Sequence, residues 1–351
     1  MTTLVTGGAG FIGSNLVHAL LSNGESVRVL DDLSRPGVEK NVRWLEEIHG
    51  SRFDLVVADV RDPDAVYSAM RGVTHVFHLA AQVAVTTSIT DPRYDYDVNA
   101  TGTLNVLEAI RAAGSTASLI YTSTNKVYGA LDDVALVLRR DRYEPVSSVV
   151  ATRGISESRP LSFHSPYGCS KGTADQYVID WAHTFGIRAA VFRMSCIYGP
   201  HQFGNEDQGW VAHFLSRALK HEPITIFGDG HQVRDVLFVD DLVDALLRAR
   251  GAIDRISGRA FNVGGGPTST LSLVELVDVI ERQLRRRPNI TFEPWRIADQ
   301  RWYVSDTRAL ERTTSWRPQV DPNQGIARLI DWLAAEIEDR RKRPEPAVAT
   351  L

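Results

Sequence analysis

The chain has 351 residues, with 39 Lys and Arg against 43 Asp and Glu (net charge −4), and an ordinary globular composition that is long enough for two domains or one large α/β unit with a smaller lobe. The near balance of charge argues against a nucleic-acid surface, and no apolar run reaches the roughly 20 residues needed to cross a membrane. Two cysteines, Cys169 and Cys196, are too few for a disulfide framework or a Cys-rich zinc site, so a reducing, cytoplasmic compartment and no metal are expected.

The N-terminus runs directly into a strand pattern, with no basic region or cleavage site that would make a secretory leader. Short apolar runs at 2–6, 26–30, 55–58, 75–78, 119–122 and 189–193 predict strands. Segments of helical period lie between them at 11–23, 63–71, 92–113 and 166–185. Strands alternating with helices predict βαβ units, and continuously apolar strands predict burial on both faces. The expected fold is therefore α/β, a doubly wound Rossmann-type parallel sheet over 1–193. Residues 130–162 carry charges, prolines and serines without periodicity and read as one long loop. Beyond 194 the alternation loosens: helices near 209–220, 240–250, 271–286 and 323–341, and a strand near 224–227. This predicts a smaller substrate-binding lobe over 194–340, with some segments returning to the first domain. The basic, Pro- and Ala-containing tail at 341–351 is expected to fray.

The first strand feeds Gly7-Gly8-Ala9-Gly10-Phe11-Ile12-Gly13 and then a helix. Gly7, Gly10 and Gly13 suit, in turn, a tight turn, close approach of a pyrophosphate to the backbone, and close helix–sheet packing. The following helix start offers unpaired N–H groups to phosphate oxygens. Asp31 and Asp32 end the second strand, where a carboxylate accepts from ribose hydroxyls and repels a 2′-phosphate. NAD is favoured over NADP, with Asp31 the expected acceptor and Asp32 better suited to capping a turn. Asp59 is placed at the adenine amino group, and Leu79-Ala80-Ala81 forms a small wall beside the cofactor. Leu33, Ser34 and Val60, flanking these positions, complete the expected cradle together with Phe11 and Ile12.

Tyr167 and Lys171 stand four apart behind Pro166, which fits the first turn of a helix, so both project from one face. Bringing a phenol from about pH 10 to 7 takes roughly 4 kcal/mol. A nearby ammonium and a positively charged nicotinamide both supply that sign. Tyr167 would then take a hydroxyl proton while the cofactor accepts hydride from the same carbon. Thr124, at the end of the fifth strand, is placed to hold the reacting oxygen, with Ser123 its neighbour on the cofactor side.

These motifs, together with Asn99 in Val98-Asn99-Ala100-Thr101-Gly102 and Tyr198-Gly199-Pro200, resemble the extended short-chain dehydrogenase/reductases that act on nucleotide sugars. The resemblance implies that Asn99 stabilises the bend around NAD, that Ser195–Tyr198 lies by the nicotinamide, and that the helices at 92–113 and 166–185 form a four-helix bundle in a homodimer. Ser123-Thr124-Asn125-Lys126-Val127-Tyr128-Gly129, Asp207-Gln208-Gly209-Trp210-Val211 and Gly230-His231-Gln232-Val233-Arg234-Asp235 are similar to the CDP-paratose 2-epimerase (CDP-tyvelose epimerase) subgroup. That implies a CDP-hexose substrate oxidised transiently at C2 and reduced from the other face. Dehydratases of the wider family carry Asp-Glu where this chain has Asn125-Lys126, so elimination is disfavoured. The 194–206 segment departs from the subgroup's pattern and leaves the base and hexose open. Arg234 and Arg301 are the expected diphosphate ligands, with Gln82, Thr87, Asn125 and Gln208 toward the sugar. A nucleotide-sugar 4-epimerase, or an NAD-binding sensor without catalysis, stays an alternative reading of the same motifs.

Overall fold

The computed structural model describes residues 2–114 and 117–342; the fraying expected beyond 342 lies outside the described residues. Seven parallel strands make the central sheet. The first five in the chain are β1 (Thr2–Thr6), β2 (Ser26–Asp31), β3 (Phe53–Val57), β4 (Val73–His78) and β5 (Ser118–Thr124). Across the sheet the order is Arg259–Val263, Ala189–Met194, β5, β4, β1, β2, β3. Chain progression reverses between β1 and β4, which opens a crevice at their C-terminal ends.

Alternation along the strands builds two cores. Val5, Val29, Phe77, Ile120, Phe192 and Phe261 face α1 (Phe11–Ser22) and the Val239–Gly251 helix. Leu4, Leu30, Val76, Leu119 and Val191 face the Gly102–Ala112 and Ser165–Thr184 helices. Both faces are covered, which is why these strands read as unbroken apolar runs. The segment expected as one helix at 92–113 is Pro92–Tyr96, a π turn at Asp97–Thr101 and Gly102–Ala112 in succession.

Arg259–Val263 adds to the sheet beside Ala189–Met194, so a late segment of the chain returns to the first. Elsewhere after 194, Ile224–Phe227 pairs with Ile290–Glu293, and Val233–Phe238 pairs with Thr270–Ser272, Trp302–Tyr303 and Cys196–Tyr198. Val211, Leu215, Ile226, Phe238, Leu276, Ile280, Ile326 and Leu329 form the core of this smaller lobe.

Two expectations need correcting. Residues 130–162 are not a structureless loop: they contain a hairpin, Leu136–Arg139 with Arg142–Pro145, and a helix, Ser148–Arg153. Four-residue strands, one mostly exposed and the other half-buried without alternation, carry no period to read. The hairpin is fixed instead by distant partners, Arg142 to Glu275 at 2.5 and 2.7 Å and the Tyr143 hydroxyl donating to Asp229 at 2.5 Å. The Val38–His49 helix between β2 and β3 is absent from the sequence reading, because Val38, Val42 and Leu45 are interleaved with charged residues.

Candidate active site

A cleft enclosing about 390 Å³ lies at the C-terminal ends of β1, β2, β4 and β5. It begins at the glycine turn. Gly7 adopts a left-handed φ of +69°, and a Cβ there would stand 2.7 Å from the Ala80 nitrogen. A Cβ at Gly13 would drive into the Gly7 carbonyl and sit 2.6 Å from the Gly8 Cα. At Gly10 it would meet only the Gly7 carbonyl, at 3.2 Å. Gly7 and Gly13 are therefore required by packing, while Gly10 caps α1 and keeps its open side toward the cleft.

Phe11, Ile12, Asp32, Ser34, Asp59, Val60, Leu79, Ala80 and Ala81 also border this space. Asp31 borders it too, but it is a brace. Its two oxygens accept from the Ala9 and Leu33 backbone N–H groups, both at 3.0 Å. Burial raises its pKa against those same hydrogen bonds. Asp32 is the exposed carboxylate of the pair, with one oxygen taken by the Ser34 N–H and hydroxyl. The roles expected of the two thus differ: Asp31 shapes the turn and Asp32 is the more available acceptor. Leu33 turns away, at φ +55°, to pack with Ala9, Val38 and Val42. Asp59 is bound by Arg61 at 2.5 and 2.9 Å, which lowers its pKa.

Asn99 sits behind the cleft in the π turn. Its amide donates to the Gln82 carbonyl, Asp95 and Ser170, and accepts from the Gln82 N–H. This joins the segment after β4 to the helix that carries Tyr167. Gln82 spends its side-chain amide on Asp95 (2.7 Å) and the Ala84 carbonyl (2.8 Å), so it faces this network and not the cleft. Thr87, on the short Val85–Thr90 helix, is also absent from the lining. The sequence reading missed Asp95, fully buried and the hub of the network; its spacing of four from Asn99 on one helix was the available signal.

Ser123 and Thr124 end β5 and face Tyr167 and Lys171 across the cleft. The Thr124 hydroxyl accepts from the Lys126 N–H at 3.2 Å and donates to the Asn125 side-chain oxygen at 3.3 Å. Lys171 donates to the Thr122 carbonyl at 2.7 Å and lies 4.3 Å over the Tyr121 ring. Burial pulls its ammonium down to about 7, against Asp175 and Asp95. Burial likewise pushes Tyr167 up to about 12, opposed by the nearby Thr124 hydroxyl. Burial thus favours the neutral form of both groups, and the Lys171 ammonium is held on the Thr122 carbonyl.

The model of the NAD dependent epimerase/dehydratase family matches residues 3–264. The chain belongs to that family. CDP-paratose 2-epimerase of Salmonella typhi is 41% identical over 95% of this chain and all of its own length. UDP-glucose 4-epimerase of Mycolicibacterium smegmatis is 36% identical over 95% of this chain and 98% of its own. The solved UDP-glucose 4-epimerase of Thermus thermophilus in complex with NAD superposes with a TM-score of 0.78 at 31% identity, covering 95% and 99% of the two chains.

Within this family member, NAD fits the cleft on local grounds. The side with Gly10 is free of side chains, Leu79-Ala80-Ala81 forms a low wall, and an exposed carboxylate stands at the end of β2. On the substrate side Asn125 and Gln208 line the same space. Arg234 does not stand free for a diphosphate. It is buried and donates to Asp299 at 2.7 Å and to the Val233 and Gln300 carbonyls. Arg301 faces a neighbouring cavity of about 800 Å³, over the Tyr143 and Trp295 rings. Residues not expected in the lining include Tyr94 and Trp210. Lys126 also lines the cleft, with its ammonium on the Ala298 carbonyl (3.1 Å) and Asp299 (3.5 Å). Among the described residues no helix is long and apolar enough to cross a membrane.

Proposed function

We propose that this chain is an NAD-dependent nucleotide-sugar epimerase acting at C2 of a CDP-linked hexose, by way of a transient keto-sugar. One observation carries the reading: Thr124, Tyr167 and Lys171 converge on one cleft whose adjoining positions hold Asn125 and Lys126 instead of carboxylates. The likeness to a CDP-paratose 2-epimerase over the whole length supports the carbon and the base. NAD, when bound, supplies a reversible hydride acceptor. Gly7, Gly10, Phe11, Ile12 and Gly13 would hold its pyrophosphate, Asp32 its ribose, Asp59 its adenine, and Ser123 with the Leu79–Ala81 wall the inner end.

The protein's own part is proton handling and positioning. Thr124 holds the sugar hydroxyl against Tyr167 by accepting or donating through one hydroxyl. Tyr167 takes that proton and later gives it back, so no net proton is consumed. To act so, Tyr167 starts as the phenolate: its own proton passes to Lys171, poised near neutrality by burial, and the resulting ammonium stabilises the phenolate. Neither an amide nor an ammonium supplies the acid and base carboxyls that elimination of a hydroxyl requires, so epimerisation is the outcome left to the site. Gln208 and Asn125 would meet the sugar. Arg234 would reach the diphosphate only after Asp299 is exchanged for phosphate oxygens, and Arg301 only by leaving the Tyr143 and Trp295 rings.

The same reading assigns a homodimer through the Pro92–Ala112 and Ser165–Thr184 faces, where Tyr96 and Tyr177 are exposed, and a cytoplasmic setting in keeping with two free cysteines. The test is to incubate the purified protein with CDP-, UDP-, GDP- and dTDP-sugars and to follow configuration by NMR. Inversion at C2 of a CDP-sugar supports the proposal. Inversion only at C4 transfers the chain to the activity named for its 36% identical relative, and binding of NAD with no turnover makes it a sensor.

A further inference from the structure

Among the described residues, three cationic side chains belong to the lining of the cleft: Arg35, Lys126 and Lys171. Arg35 follows the Asp32 end of β2, where the cofactor's ribose is placed, and Lys171 is held on the Thr122 carbonyl. Lys126 is the one on the substrate side, next to Asn125. Its backbone N–H donates to the Thr124 hydroxyl at 3.2 Å, so its side chain starts beside the group that holds the reacting oxygen.

The Lys126 ammonium is only partly committed. It carries three N–H donors; one meets the Ala298 carbonyl at 3.1 Å and one the Asp299 Oδ1 at 3.5 Å. That carboxylate oxygen already accepts from the Arg234 guanidinium at 2.7 Å and from the Gln300 N–H at 3.0 Å, so the lysine has the weakest hold on it. The side chain keeps 20% of its surface accessible. Ala298 and Asp299 line the neighbouring cavity, and the Cys196 thiol of the cleft and Arg234 are near enough to act on the lysine's charge. The ammonium therefore stands where the two spaces adjoin.

Within this group one carboxylate serves two cations, which leaves a positive charge without a counter-ion at the substrate end. The diphosphate is the part of a nucleotide sugar that answers it. Arg234 can turn to phosphate only by giving up a short contact with Asp299, whereas Lys126 gives up only a long one. We propose that the Lys126 ammonium takes a β-phosphate oxygen of the nucleotide sugar, and that this contact sets which sugar carbon reacts. C2 is bonded to C1, the carbon that carries the phosphate, so a phosphate fixed beside Thr124 brings the C2 hydroxyl to Thr124 and Tyr167. C4 lies across the ring and would need the phosphate held a sugar's width away. The inference rests on the C2 reading and deepens it.

The test titrates NAD-loaded protein with CDP and with CMP, which lacks the β-phosphate, in a calorimeter. Wild type is compared with Lys126→Met, of similar length without charge, and with Lys126→Arg, which keeps the charge. Lys126→Met should bind CDP about 10- to 100-fold more weakly while CMP stays within about threefold of wild type, and Lys126→Arg should keep the preference for CDP. Lys126→Gln, which retains a donor for the Ala298 carbonyl, repeats the comparison if the methionine variant is unstable. Equal weakening of CDP and CMP, or no change in either, overturns the proposal, because a merely structural lysine moves both alike. In turnover of CDP-hexose, Lys126→Met should also lower kcat for C2 inversion by about tenfold or more; a raised KM with kcat unchanged overturns the part that assigns the choice of carbon to this contact. Wild-type protein that inverts only C4 would instead remove the reading on which the inference rests, and the nucleotide titrations do not depend on that result.

Discussion

The three glycines of the β1–α1 turn give the sharpest separation between fold and cofactor. Replace each by alanine. At Gly13 the added carbon drives into the Gly7 carbonyl and stands 2.6 Å from Gly8 Cα. Both are backbone, so the turn itself must move, at a cost of about 3 kcal/mol. For a chain of this size that lowers Tm by about 4 °C. At Gly7 a backbone clash at 2.7 Å adds to about 1–2 kcal/mol for a left-handed alanine, giving a similar loss. Gly10→Ala differs. Its one close neighbour is the Gly7 carbonyl at 3.2 Å, which gives by a few tenths of an ångström, and alanine is a poorer helix cap by about 1 kcal/mol. The fold should survive with a Tm within about 1–2 °C of wild type. The methyl group, however, takes the position through which a pyrophosphate approaches the helix start. Losing one or two charge-assisted hydrogen bonds there weakens NAD by about 100-fold. Thermal denaturation with and without NAD, alongside NAD titration by fluorescence, reads both quantities. Gly10→Ala protein that binds NAD like wild type, or that unfolds as readily as Gly13→Ala, would refute the reasoning.

Three further outcomes are expected. Tyr167→Phe should lower kcat by about 10²- to 10⁴-fold while NAD affinity and Tm stay near wild type; turnover within about threefold of wild type would remove the proton-transfer role. His78 is fully buried between Thr6 (2.6 Å) and Thr103 (3.0 Å), and burial lowers its pKa to about 3. The unfolded chain binds this proton below about 6.5 and the folded one does not, so the contribution is complete above about pH 6.5. As pH falls to 4 up to about 3 kcal/mol is lost. Urea unfolding of wild type and His78→Gln between pH 7 and 4 should show the difference between them shrinking with acid; a constant difference would contradict it. Asp175 receives both arms of Arg193, at 2.8 and 2.9 Å, inside the sheet–helix interface. Asp175→Asn leaves the guanidinium unpaired, and denaturant titration should show a loss of about 3–5 kcal/mol.

The legible parts of this molecule are those set by local rules. Continuous apolar strands marked β1 to β5, and the glycine spacing and a helix opened by Pro166 marked Gly7, Gly10, Gly13, Tyr167 and Lys171, which line one cleft. What the sequence hid depends on partners distant in the chain. Arg234 was expected at a phosphate because guanidinium suits that ligand, and Asp299, 65 residues later, occupies it instead. Gln82 was expected at the sugar and is consumed by Asp95. The hairpin at 136–145 exists because Glu275 and Asp229 hold it, which no pattern within 130–162 encodes. Tyr167 shows the electrostatic form of the same limit. Its spacing from Lys171 is visible in sequence, but whether the ammonium reaches the phenol or the Thr122 carbonyl is decided by burial and three-dimensional position.

The central claim is that one carbon of a nucleotide sugar loses and regains the same hydrogen while Tyr167 handles only the hydroxyl proton. A CDP-hexose carrying deuterium at C2, turned over in ordinary water and followed by NMR, tests it directly. The account predicts an inverted C2 that keeps its deuterium and takes no solvent hydrogen. Deuterium washed out to water, or inversion at C4 with C2 untouched, would contradict it.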